Sequence, residues 1–120
     1  EVNLQPYLET DVVYSNRLKT EIPYELEYLV PALLTDTQLE DLNWLTAAVF
    51  RVMGALDVSR VDFRLDVRKN WKPYILEINP LPGLSPGISD LVLEANAAGI
   101  SYSELVNMIL NQALKRYGML

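Results

Sequence analysis

The 120-residue chain contains neither cysteine nor histidine, and these two absences remove whole classes of chemistry. Without thiols there is no disulfide framework and no thiolate metal centre; without imidazole there is no serine–histidine relay and no histidine-bound zinc. Any chemistry must rest on carboxylates, amides, lysine, arginine or backbone. Long apolar runs are missing too, so no segment reads as a membrane span, and the first residues lack the basic-then-apolar plan of a signal peptide. A cytoplasmic setting without a membrane partner is the expectation. Positive charge is scarce: ten Lys and Arg face sixteen Asp and Glu, a formal net charge of −6. Such a surface is poorly matched to a polyphosphate backbone, so nucleic acid is not an expected partner. The chain also has no internal repeat, no low-complexity tract and no glycine-rich phosphate loop.

What is present is enough apolar content, half of all residues, for one globular domain with a continuous core. Glu1-Val2-Asn3-Leu4-Gln5 already alternates like a strand with no initiator methionine before it, so the chain is expected to begin inside a larger protein. Up to Val30 the alternating runs Asp11–Tyr14 and Tyr24–Val30 predict one or two strands. Thr35-Asp36-Thr37 then offers caps ahead of Leu39, Leu42, Leu45, Val49 and Met53, the stripe of an amphipathic helix ending near Gly54.

From Ser59 to Asp66, Val61, Phe63 and Leu65 alternate with Arg60, Asp62, Arg64 and Asp66, as in a half-buried strand. Arg68-Lys69-Asn70 suits a turn, and Pro73–Asn79 suits a strand running back, giving a β-hairpin. Three prolines and two glycines between Pro80 and Gly87 forbid a regular element and fix a defined loop of the kind that lines sites. Ser89-Asp90 can cap a short helix with Leu91, Val92, Leu93 and Ala95, halted near Gly99. A last helix starts at Ser101 or Ser103, with Glu104 in its first turn, Leu105, Met108, Ile109, Ala113 and Leu114 on one side, and Lys115 and Arg116 at its end.

The hairpin carries the chemistry, because directly opposed residues share a face. If Asp62 lies opposite Glu77, then Arg60 lies opposite Asn79 on the same side. Val61, Phe63, Leu65, Leu76 and Ile78 then turn to the other, apolar side. Two carboxylates and an amide oxygen are hard donors of the kind magnesium takes, with water and substrate phosphates completing its shell. An arginine beside them could neutralise charge developing on an acyl phosphate or tetrahedral intermediate. The competing reading is a solvated strand face.

Arg60-Val61-Asp62-Phe63 followed by Leu76-Glu77-Ile78-Asn79-Pro80-Leu81-Pro82-Gly83-Leu84-Ser85 resembles the R-x-D and E-x-N-x-x-P-G signatures of the D-alanine–D-alanine ligases within the ATP-grasp family. The Gly99-Ile100-Ser101-Tyr102 turn and the final helix also resemble that family's carboxyl end. The resemblance implies an α+β fold, the C-terminal portion of the ATP-grasp fold, with mostly antiparallel sheet packed against helices. Residues 1–120 would form a C-terminal subdomain fragment, the upstream nucleotide hinge and N-terminal domains lying elsewhere in the parent. By the same resemblance Glu77 bridges two magnesium ions, Asp62 and Asn79 each ligate one, and Arg60 faces the transferred phosphoryl group. Gly83 offers its backbone N–H to the intermediate, where a side chain could crowd the approach; its alternative is an ordinary turn glycine. Lys19, in Tyr14–Lys19, matches the family lysine that approaches phosphate, against the alternative of a surface lysine.

Two positions depart from the family pattern. Thr20 stands where tyrosine or histidine is usual, and strict spacing puts Ile88 at the place of a serine that holds the substrate carboxylate. Ser89, with one extra loop residue, or Ser85 would take that role, although Ser89 could equally be a helix cap.

The implied reaction is ATP-dependent ligation: a carboxylate becomes an acyl phosphate, and an amine attacks to give a dipeptide, ADP and phosphate. ATP is the co-substrate, two Mg2+ the cofactors, and amino acids and the rest of the parent ligase the partners. Peptidoglycan biosynthesis is the implied process and a homodimer a permitted assembly. The isolated fragment is expected to be inactive. The alternatives are another ATP-grasp amino-acid ligase with different substrates, or a non-catalytic ATP-grasp-like interaction module.

Overall fold

A computed structural model describes residues 1–3 and 27–120 of the chain. The expected Asp11–Tyr14 strand, the start of the Tyr24–Val30 run, Lys19 and Thr20 lie outside the described residues. The chain divides into two units, Glu1–Leu33 and Leu34–Leu120. In the first, β1 (Val2–Asn3) pairs antiparallel with β2 (Glu27–Tyr28). The contact continues one step further, since the Leu29 amide donates to the Glu1 carbonyl at 2.8 Å and the Glu1 terminal amino group to the Leu29 carbonyl at 2.9 Å.

The second unit opens with α1 (Asp36–Val52). Its start is fixed by a reciprocal capping box: the Gln38 amide donates to Thr35 Oγ1 at 3.3 Å, and the Thr35 amide to Gln38 Oε1 at 2.8 Å. These bonds satisfy two donors that the helix cannot satisfy internally. Gly54, at φ +64°, lets the chain leave in the left-handed region. Of the expected stripe, Leu42, Leu45 and Val49 are half-buried, while Leu39 and Met53 at its ends are exposed.

β3 (Arg60–Asp66) and β4 (Lys72–Asn79) form the antiparallel hairpin. A single 3-10 turn, Val67–Lys69, connects them, with Asp66 Oδ1 accepting from the Arg68 amide at 3.1 Å. Asn70 and Trp71 then take φ +54° and +61° to reverse the chain. The register pairs Arg60 with Asn79, Val61 with Ile78 and Asp62 with Glu77, as the alternation predicts. Beyond Asp62 it shifts, so that Phe63 faces Ile75. Leu76 is therefore the extra residue of a β-bulge and stands 61% exposed instead of joining the apolar side; Ile75 takes the expected place opposite Phe63. A bulge bends its strand and re-aims the side chains beside it, here immediately before Glu77.

The buried core lies between α2 (Asp90–Ala97) and α3 (Tyr102–Arg116). Val92, Ala95 and Leu105 are buried, with Leu84, Leu91, Ile100 and Ile109 packed against them. Met108, expected on the same side, is half-exposed. α3 starts on a second capping box, Ser101 with Glu104. It is tied at its far end to the loop after α1, where Arg116 grips Asp57 through Nε at 3.1 Å and Nη2 at 2.6 Å. Leu84 is what joins the core to the site, because it sits in the proline-rich loop between β4 and α2 and buries itself against the helix pair.

Candidate functional site

The site is built on the first half of the hairpin and the start of α2. Arg60 is its hub, with a side chain only 13% exposed. Nε donates to Asp62 Oδ1 at 2.7 Å and Nη2 to Asp62 Oδ2 at 2.9 Å, the two-pronged geometry that suits a planar guanidinium. Nη1 donates to Asp90 Oδ2 at 2.6 Å, and Glu77 Oε1 lies 4.0 Å from Nη2. The Asp62 hydrogen bonds above all, with burial opposing, raise the Arg60 pKa still further above its usual value. The guanidinium is thus permanently charged. One positive charge among three carboxylates leaves the cluster with a formal surplus of two negative charges.

Arg60, Asp62, Glu77 and Asn79, the residues expected to share a face, are brought together by the register. Asn79 is held on both sides of its backbone: Ser59 Oγ donates to its carbonyl at 2.9 Å, and its own Oδ1 accepts from the Leu81 amide at 3.0 Å. That second bond is an Asx turn, which fixes the amide at the point where the strand becomes the proline-rich loop. Glu77 is the most open of the set, its side chain 58% exposed.

The loop closes on itself over Gly83. Ser89 Oγ accepts from the Ser85 amide at 2.9 Å, and the amides of Ile88 and Ser89 both donate to the Ser85 carbonyl. A Cβ built on Gly83 would stand 2.7 Å from Ser89 Oγ, so glycine is favoured by close approach rather than by a left-handed backbone. Ser89 occupies the N-cap position of α2 but makes no side-chain capping bond, because its hydroxyl is turned into the loop. Gly83, Ser85 and Ser89 therefore form one cluster, while Ile88, at the strict family spacing, is 77% exposed. Chain continuity from Ser89 to Asp90 links this loop to the hairpin patch.

Asp90 is the residue that the sequence did not reveal. It reads as a helix-capping carboxylate, and nothing in the linear pattern connects it with Arg60 thirty positions earlier. Lys19 lies outside the described residues.

The oxygen donors suit a hard divalent cation. Each ionised carboxylate oxygen and each amide oxygen has two lone pairs, so Asp62 and Asn79 retain acceptor capacity beyond the bonds above. Among the described residues no group of three acidic side chains is arranged to hold a metal ion. An ion here would depend on the amide of Asn79 and on oxygens brought by a ligand, as magnesium sites commonly do.

Comparison with known proteins points to the same family. The family described as "D-ala D-ala ligase C-terminus" matches residues 5–111. The D-alanine–D-alanine ligase of Fervidobacterium nodosum is 36% identical over 90 residues, 75% of this chain and 27% of that protein. An uncharacterized protein of Sinorhizobium fredii is 42% identical over 95 residues, 79% of this chain and 25% of its own length. Among solved structures, the D-alanine–D-alanine ligase of Bacillus anthracis complexed with ATP matches with a TM-score of 0.63 and 32% identity, covering 70% of this chain and 28% of that one. The chain thus spans about a quarter of the length of these relatives. With its α+β architecture of antiparallel sheet and helices, and a family match running through nearly all of the sequence, the chain belongs to the D-alanine–D-alanine ligase C-terminal family of the ATP-grasp fold.

Proposed function

We propose that this chain is the carboxyl-terminal part of an ATP- and magnesium-dependent carboxylate–amine ligase that forms a D-alanyl dipeptide or a close relative of it. The observation carrying this reading is the hairpin register, which sets Arg60, Asp62, Glu77 and Asn79 on one face beside the Gly83 loop. A cluster with two surplus negative charges and unspent oxygen lone pairs has a use for divalent ions. Asp62, Glu77 and Asn79 would hold magnesium, which supplies charge neutralisation at the phosphate oxygens. Arg60, already fixed by carboxylates, aims its remaining N–H groups at a phosphoryl or oxyanion oxygen without reorganising at the moment of reaction. The Gly83 backbone N–H would bind the intermediate's oxygen, Ser89 or Ser85 the substrate carboxylate, and Lys19 the nucleotide phosphate. Nothing in this scheme needs a covalent enzyme intermediate. In the cell the reaction would serve peptidoglycan biosynthesis in the cytoplasm.

An amino-acid ligase of the same mechanism with other substrates is the second reading, favoured by Thr20 and by the outward-facing Ile88 at two substrate-side positions. A screen of amino-acid pairs for ATP turnover by the full-length parent separates the two. Glu77→Gln in that parent tests both. Turnover is abolished while stability changes by less than about 0.5 kcal/mol, since an exposed surface substitution costs little. Near-normal turnover by this variant, or ATP-dependent phosphate release by the 120-residue chain alone, contradicts the reading.

A further inference from the structure

We propose that Asp90 is a positioning residue for Arg60, an inference that rests on the ligase reading above. Arg60 and Asp62 are two residues apart on one strand, so the fork between them ties the guanidinium only to its own strand. Among the described residues the hydrogen bond to Asp90, at 2.6 Å, is the one from the guanidinium that crosses to another element, Glu77 standing at the longer ion-pair distance of 4.0 Å. With one edge of the planar group held by Asp62 and a further N–H held by Asp90, the guanidinium plane is set by two independent anchors. Three of its five N–H groups are spent in these bonds. The two left over are what a ligand oxygen can receive, and their direction is fixed by the three already used.

Asp90 is also placed to couple this arginine to the substrate loop. Its neighbour Ser89 gives its hydroxyl to the loop closed over Gly83 instead of to the helix start. Among the described residues the side chain of Asp90 bonds to Arg60 and not to a helix amide. Both residues at the start of α2 thus direct their side chains away from capping, one toward the loop and one toward the guanidinium. Both ends of the Arg60–Asp90 pair are shielded, at 13% and 22% exposure, so the bond is little weakened by solvent. Without Asp90 the guanidinium keeps its fork to Asp62 but is free to pivot about it, and the start of α2 loses its hydrogen bond to the hairpin. A misaligned cation costs rate more than affinity, because its contact strengthens as charge develops on the reacting oxygen.

The test compares Asp90→Asn, Asp90→Glu, Arg60→Ala and the Arg60→Ala/Asp90→Asn double variant in the full-length parent. Asp90→Asn keeps shape and removes charge; it is expected to lower kcat about ten-fold or more, the range of a lost charge-assisted hydrogen bond. KM for ATP should change by less than about two-fold, and the melting temperature by only a few degrees. Asp90→Glu, which keeps the carboxylate, should recover most of kcat. The double variant should be no slower than Arg60→Ala alone, since Asp90 acts only through Arg60. Unchanged kcat in Asp90→Asn, a loss that multiplies with that of Arg60→Ala, or a loss accompanied by a large fall in melting temperature and not rescued by glutamate overturns the inference. A parent that turns over no ATP before any substitution overturns the ligase reading and this inference with it, whereas active parent with indifferent Asp90→Asn overturns this inference alone.

Discussion

Gly83→Ala probes the loop geometry directly, because the structure gives the obstacle and its nature. The new methyl would stand 2.7 Å from Ser89 Oγ and 3.5 Å from Ser89 Cβ, so only the hydroxyl is in conflict. A hydroxyl can rotate away, but in doing so it abandons the Ser85 amide that it now accepts from at 2.9 Å. The cost is therefore about one hydrogen bond, ~1 kcal/mol. Ser89→Ala removes the same bond and the same obstacle and costs ~1 kcal/mol by the same count. Once the hydroxyl is gone, adding Gly83→Ala meets only ordinary contact with Ser89 Cβ. The double variant should then cost ~1 kcal/mol rather than the ~2 of additive behaviour, a coupling of ~1 kcal/mol. Alanine also lowers the entropy of the unfolded chain, by about 0.4–1 kcal/mol in the stabilising direction. That term enters the single and the double variant alike and cancels in the cycle. Denaturant titration of the four proteins measures it, and strict additivity would refute close approach as the reason for glycine at this position.

Two further predictions concern stability. Asp57, at φ +61°, is gripped by both prongs of Arg116, whose hydrogen bond is the main cause holding its carboxyl below the usual range. A depressed folded-state value gives stabilisation that is present at neutral pH and fades below about pH 4, as the carboxylate protonates. Asp57→Asn, which tolerates the same backbone, should melt lower than the parent at pH 7 and converge with it as the pH falls and the carboxylate protonates; a gap that stays constant with pH would exclude the charge as its source. In the core, Val92 is 1% exposed, so Val92→Ala should cost about 2–3 kcal/mol, two methyl groups plus a cavity. Val106→Ala, at a 38% exposed position of the neighbouring helix, should cost less than half of that by denaturant titration.

Much of the local structure was legible because it depends on short-range chemistry. Thr35 with Gln38 and Ser101 with Glu104 mark helix starts through the spacing of a capping box. The alternation Arg60–Asp66 marks a strand and, with one apolar face to bury, also its register against Glu77 and Asn79. Leu76 escaped this logic because a bulge adds one residue after the alternation has set the phase, and single residues carry no mark of it. Ser89 escaped for a different reason: a serine before a helix has the same sequence appearance whether its hydroxyl turns to the helix or, as here, to the Ser85 amide.

By itself the sequence determined the element types from Thr35 onward, the shared hairpin face of Asp62, Glu77 and Asn79, and the motif that carries family membership, since all of these reside in spacing along a few residues. Only the tertiary structure decided that Arg60 is shared between Asp62 and Asp90 and that Gly83 lies under the Ser89 hydroxyl. The Arg60–Asp90 bond joins a strand to a helix thirty positions on, and the Gly83–Ser89 approach closes a loop on itself. Their distances follow from how α2 packs on α3 and draws the Leu84 loop after it, a consequence of burial that no local pattern encodes.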